Sequence, residues 1–232
     1  MIKVQRSTER RYLRSGSQEM WMTFDQGNVE KPLQRGFRAL DVLNEVKLRP
    51  GKEFHLQPDG DRESVTYVRE GRLAVCHKPR KDGFLGPGYC QRANSHRMWL
   101  TGAPDESPFR GAHLFVSSLT PHRSDGESSV ERKHYPFSDR RGYLRLIASP
   151  DGGGASLRVQ QDVRIYSSLL DPGHHVVHEV ARGRGVWLHV IEGRVQLVDQ
   201  SLGTGDGVSL DDELAISFTA QEESEILLFD LA

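Results

Sequence analysis

The stretch YVREGRLAV at residues 67–75 is answered by HVIEGRVQL at residues 189–197, 122 positions later. Each is a strand that ends in a Glu-Gly corner and resumes after it. A second pair, LRPGKEF at residues 48–54 and LDPGHHV at residues 170–176, is separated by the same 122 positions. Two matches at one offset predict a duplicated β domain, because independent glycine-rich turns have no reason to keep a common spacing.

The surrounding sequence agrees with this reading. Leu157, Val159, Val163 and Ile165 alternate with Arg158, Gln160, Asp162 and Arg164, and Leu214, Ile216 and Phe218 alternate with Ala215, Ser217 and Thr219. Period two is the mark of a strand buried on one face. Turns are announced by Pro50-Gly51, Gly86-Pro87-Gly88, Gly152-Gly153-Gly154, Pro172-Gly173 and Gly203-Thr204-Gly205. No long amphipathic helix interrupts them, so an all-β chain is expected, with two antiparallel barrels in tandem. Residues rich in Ser, Arg, Asp and His after Thr120 read as the connection. The expected division is residues 1–120, a linker at 121–142, and residues 143–232.

Composition excludes several classes. With 31 basic and 32 acidic residues the net charge is −1, which gives no field to draw the chain to nucleic acid or an anionic membrane. The basic positions Lys3, Arg6, Arg10, Arg11 and Arg14 are too dispersed to alter this. Neither a membrane-length apolar run nor a signal-peptide core is present, so a soluble cytoplasmic protein is expected. Two cysteines, Cys76 and Cys90, do not make a secreted disulfide framework.

A Pro-Gly turn, a strand, an Asx-rich bend and a strand ending in Glu-Gly resembles the first motif of the cupin superfamily. More narrowly, the chain resembles the pirin-like bicupins. The residues that carry the likeness are Trp21-Met22-Thr23-Phe24, Gly36 to Asn44, Thr66 to Gly71, Ala148-Ser149-Pro150-Asp151, Val186 to Val190 and Leu227 to Leu231. The resemblance implies two jelly-roll barrels whose N-terminal copy holds a metal, usually iron, on three His and one Glu. It also implies either quercetin oxidation by dioxygen or partnership with a transcription factor.

Carried over slot by slot, those ligands are missing. The His-Pro-His slot falls on Gln57-Pro58-Asp59, because Pro58, Asp61 and Glu63 keep their places before Thr66-Tyr67-Val68. The later His-x-Glu pair lies thirteen residues after Gly88 and twelve before His113, and both counts reach Thr101-Gly102-Ala103. An amide, one carboxylate, a hydroxyl and a methyl are too weak a donor set for a divalent transition metal. No cofactor is therefore expected. The alternative is iron or another divalent transition metal on shifted ligands drawn from His55, Asp59, Glu63 and His96, since His55, Gln57 and Asp59 share strand parity unless Pro58-Asp59-Gly60-Asp61 bends the chain. Trp99, beside the lost pair, would then fill space the metal once took. In the second copy His174, His175 and His178 cluster in sequence, but His175 and His178 have opposite parity and read as solvated or packing residues.

No nucleophile elbow, phosphate loop or Cys-x-x-Cys occurs. Cys90 would be a redox-sensitive thiol if exposed near Arg92 or His96. The expected function is non-catalytic: an unidentified small molecule bound in the N-terminal barrel, or a regulatory contact with a protein partner. A quercetinase-like dioxygenase and a cysteine-based sensor are the alternatives.

Overall fold

The structure, a computed structural model, describes residues 1–16, 18–24, 36–56, 62–77, 80–94, 98–102, 111–120 and 129–232. Among them are twenty-two β-strands and a few short 3-10 turns, and no α-helix. The all-β, two-barrel expectation is met. None of the described helical turns is long and apolar enough to cross a membrane.

The chain divides into two compact units. The first barrel sets a seven-stranded sheet against a four-stranded one. The larger sheet runs Val130–His134 (β12), Tyr89–Asn94 (β9), Glu63–Gly71 (β6), Ala112–Leu119 (β11), Leu40–Leu48 (β4), Gln18–Met22 (β3) and Arg11–Ser15 (β2). The smaller runs Glu53–Leu56 (β5), Met98–Gly102 (β10), Leu73–His77 (β7) and Arg80–Leu85 (β8). Val46, Leu48, Val68, Leu73, Val75, Leu85, Leu100 and Leu114 form the core of this barrel. Their alternate spacing on each strand is what turns one face of each sheet inward.

The second barrel repeats the plan. Its seven-stranded sheet is Ile2–Gln5 (β1), Gly207–Asp211 (β20), Gly185–Glu192 (β17), Ser224–Leu231 (β22), Val163–Leu170 (β15), Arg145–Ser149 (β13) and Leu157–Arg158 (β14). The four-stranded sheet is His175–Glu179 (β16), Ala215–Ala220 (β21), Arg194–Leu197 (β18) and Gln200–Gly203 (β19). Val176, Val186, Leu188, Val190, Phe218, Ile226 and Leu228 lie in its core.

The barrels keep a common register as well as a common order. Gly71 and Gly193 both turn with positive φ, at +74° and +84°. Gly88 donates its N–H to the Val68 carbonyl, and Gly205 donates to that of Val190. The 122-residue offset thus reports a true structural duplication.

The units do not follow the expected 1–120, 121–142 and 143–232 division. Met1–Arg10, Phe37–Ala39 and Phe137–Ala232 make one unit, and Arg11–Gly36 with Leu40–Pro136 make the other. The reason is an exchange of leading strands. β1 precedes the first copy but pairs with β20 of the second, through Ile2↔Leu210 to Gln5↔Gly207. β12, which precedes the second copy, pairs with β9 of the first, through Val130↔Ala93 to His134↔Tyr89. The span read as a linker therefore contains an edge strand. Phe37–Ala39 is held to the second unit by Arg38, whose guanidinium donates to Asp211 and, at 2.7 Å, to the Gly183 carbonyl.

Candidate functional site

Gln57, Asp59, His96 and Ala103 lie outside the described residues. Thr101 lies on β10, opposite Glu53 of β5 and Ala74 of β7. Its neighbour Leu100 is fully buried and sits opposite Phe54 and Val75, in the core between the sheets. Alternation then sends Thr101 to the other face of the sheet. His55 shares that outer face: it is exposed, and its Nε2 lies 3.2 Å from Glu53 Oε2. Trp99 is opposite His55 by its backbone, which is all that is described of it.

Glu63 occupies a different place altogether. It is wholly buried on β6, 3.4 Å from Arg92 Nε. Arg92 in turn donates to Ser129 Oγ at 2.7 Å, and the Ser129 N–H donates to Asn94 Oδ1 at 2.6 Å. This polar knot fastens the start of β12 to β9. Glu63 faces away from the barrel interior, because Thr66 and Val68 take the inward positions of β6. The structure therefore does not bring together His55 and Glu63, the two described members of the shifted ligand set. Among the described residues no group of three or more His, Cys, Asp or Glu is arranged to hold a metal ion.

Cys90 is fully buried. A redox-sensitive thiol was expected only if exposed, so burial removes the basis for that reading; the strand pairing Tyr67↔Cys90 carries its side chain into a packed layer. Sequence spacing alone gave no means of telling which face of β9 was covered.

The inner face of the first barrel carries a feature that the motif comparison missed. One transverse row of paired residues crosses five strands as Arg132, Gln91, Thr66, Val116 and Asn44. The row faces inward because Ala93 and Val130, one pair along on β9 and β12, pack on the core, as do Val68, Leu114 and Val46 on the other strands. Gln91 and Thr66 are 1% exposed. Arg132 Nε donates to Gln91 Oε1 at 2.7 Å. Asn44 Oδ1 is buried and has no hydrogen-bond partner among the described residues. The signal was available in the alternation of Asn44, Val46 and Leu48, which puts an amide at an inward position.

The duplication supplies an internal control. The equivalent row in the second barrel is Val4, Val208, Leu188, Leu228 and Tyr166. Four aliphatic side chains and one tyrosine there pack into the core. A buried polar atom left unsatisfied costs about 1–3 kcal/mol. The equivalent row of the second barrel thus carries one phenol among aliphatic side chains, whereas that of the first carries a cation, two amides and a hydroxyl.

One cluster of polar groups in the second barrel is tied together. Asp230, 3% exposed on β22, accepts from His178 Nε2 at 3.0 Å and from Arg184 Nε. Arg184 also donates to Asp162 Oδ1 at 2.7 Å. Burial alone would raise the Asp230 carboxyl, but the hydrogen bonds and charges of His178 and Arg184 outweigh it and hold the group below its ordinary value. His175 turns the opposite way, exposed, with Nδ1 2.9 Å from Thr219 Oγ1. The three-histidine sequence cluster is thus divided between two faces.

The metal that the family resemblance implies would meet a poor donor set in this sequence. Its four places read amide, carboxylate, hydroxyl and methyl, and the described one, Thr101, lies on the outer face of its sheet.

Residues 146–231 match the quercetinase C-terminal cupin domain. Over 231 residues the chain is 30% identical to a quercetin 2,3-dioxygenase of Escherichia coli strain K12, covering 100% of this chain and 99% of that protein. It is 27% identical over 202 residues to a pirin-like protein of Caulobacter vibrioides, covering 87% of each. Among solved structures, the bacterial pirin YhhW of Escherichia coli in complex with nickel(II) superposes with a TM-score of 0.86 at 29% identity, over 100% of this chain and 99% of that one. Full-length similarity, the matched C-terminal domain and the shared two-barrel architecture place this chain in the pirin-like bicupin family.

Proposed function

We propose that this chain is a non-catalytic member of the family, a protein that binds a small molecule in its N-terminal barrel without a transition metal or acts as a regulatory protein. The observation that carries the reading is the donor set: Gln57, Asp59, Thr101 and Ala103 stand where the family resemblance calls for three imidazoles and a carboxylate. The outward placement of Thr101, whose neighbour Leu100 fills the interior, supports it. So does the retention of buried polar side chains on the inner face after the ligands have gone.

A second reading has its own support. A relative that is 30% identical is named a quercetin 2,3-dioxygenase, and a solved relative at 29% identity holds nickel(II). One experiment separates the two. Protein purified without chelator is assayed for metal by mass spectrometry, then reconstituted anaerobically with iron, nickel, manganese or copper and offered quercetin with dioxygen. The binding-protein reading expects substoichiometric metal and no metal-dependent turnover; a full equivalent of metal with turnover establishes the dioxygenase.

A further inference from the structure

We infer that this chain pairs with a second copy of itself along β2, antiparallel about a two-fold axis at Leu13, so that the seven-stranded sheets of two first barrels become one continuous sheet. The surface is a strand edge, and the inference does not depend on what the barrel interior binds.

The backbone supplies an open row of hydrogen-bonding groups. β2, Arg11–Ser15, is the last strand of its sheet, and all five of its residues are exposed. Its hairpin partner β3 decides which groups are spare. Ser15 lies opposite Gln18 across a two-residue turn, and a closing pair of this kind is hydrogen-bonded. Alternation then directs the N–H and C=O of Arg11, Leu13 and Ser15 toward β3 and those of Tyr12 and Arg14 away from it, where they have no partner among the described residues. Such an edge is a template for another strand.

Charge selects the register. In an antiparallel self-pair the spare groups of Tyr12 and Arg14 must meet those of Tyr12 and Arg14 in the second copy, so the axis passes through Tyr12, Leu13 or Arg14. With the axis at Arg14, two guanidinium groups face each other directly, which is destabilising. With the axis at Tyr12, Arg14 has no place on the opposite strand except against Arg10, which already lies in the other unit. With the axis at Leu13 all five residues pair: Arg11 meets Ser15, Tyr12 meets Arg14 and Leu13 meets Leu13. No cation then faces a cation.

The side chains fit that register on both faces. On the inner face Leu13 is 38% exposed beside Met20, which packs against the barrel core, and the two Leu13 side chains cover one another across the axis. On the outer face Tyr12 is 46% exposed and backed by Trp21, with 5.0 Å between ring centroids. The Arg14 guanidinium of the second copy arrives at the free side of this ring, whose face attracts a cation. Glu19, 3.8 Å from Arg14 of its own chain and hydrogen-bonded to the Tyr12 hydroxyl, adds negative charge beside it. An edge of five residues buries less than the roughly 1,200 Å² at which standard interfaces begin, so the dimer is weak and concentration-dependent.

The test uses the full chain. Sedimentation equilibrium from about 10 µM to about 1 mM, a range that brackets a weak interface, is expected to show the mass rising from monomer toward dimer and no higher. Arg14→Pro removes an outward N–H without touching the β2–β3 ladder, and Leu13→Asp sets two carboxylates against each other across the axis. Each should weaken dimerisation at least about tenfold, with thermal melting showing that the barrel is folded. Cross-linking reads the register. In a Cys76→Ser background, Leu13→Cys puts two thiols in a non-hydrogen-bonded pair with Cα atoms about 4.5 Å apart, within disulfide reach. Mild oxidation should join these chains at least about tenfold faster than chains carrying Ser15→Cys, whose thiols lie at opposite ends of the paired segment. A protein that stays monomeric to the highest concentration overturns the inference and leaves the edge to a strand of another protein. A dimer indifferent to both Arg14→Pro and Leu13→Asp, or equal cross-linking of the two cysteine variants, overturns it as well.

Discussion

Gly71 and Gly193 stand at the same corner of the two barrels, and in each case a neighbouring carbonyl oxygen, of Gly111 or of Glu223, occupies the space a Cβ would need. Both also have positive φ, which penalises any side chain. Gly71→Ala and Gly193→Ala are expected to destabilise their own barrels by about 2 kcal/mol or more, from backbone strain together with steric overlap. Chemical denaturation followed by tryptophan fluorescence measures the loss. An alanine variant as stable as the parent would show that the corner can relax.

The Asp230 carboxylate is expected to govern acid stability of the second barrel. Its folded pKa lies below the ordinary value of 3.8, so the folded state binds the proton more weakly than the unfolded chain. The contribution is complete above the unfolded value and is lost as pH falls through the folded one. Melting temperature should decline as pH drops below about 4, and this decline should be smaller in Asp230→Asn. Equal acid sensitivity in parent and variant refutes the assignment.

At neutral pH the same Asp230→Asn change leaves Arg184 and His178 without their buried acceptor charge. Breaking such a pair from one side costs about 3 kcal/mol. For a chain of this size that corresponds to a fall of roughly 6–12 °C in the affected transition. Differential scanning calorimetry reads it directly.

Cys90 is expected to be chemically silent in the native protein because its side chain has no exposed surface. In a Cys76→Ser background, a thiol reagent should leave Cys90 unmodified without denaturant and label it fully in guanidinium. Rapid native labelling would restore the sensor reading.

Much of the fold was legible in the sequence because duplication and strand periodicity are local signals. The 122-residue offset and the Leu73, Val75 and Val195, Leu197 pairs name equivalent strands without any three-dimensional information. What could not be read was which sheet each leading strand joins, since β1 and β12 are short, and pairing partners about 200 and 40 residues away are set by the folded sheet edges. The site was less legible still. Motif alignment could name the lost ligand places but not the side of the sheet on which Thr101, His55 or Glu63 would fall, because one residue of register reverses every side chain. The row from Arg132 to Asn44 is assembled from five separate strands, and only their alignment makes it visible.

The exchanged leading strands also impose an order on biosynthesis. Residues 2–5 leave the ribosome well before the strand they must join, residues 207–211, which is made some two hundred residues later, about 10–40 s at ordinary elongation rates. Throughout that interval the strand at residues 2–5 lacks its partner, while the first barrel, whose edge is closed by residues 130–134, can already have condensed. A bulky tag fused ahead of residue 2 would therefore burden the last step of maturation and spare the first.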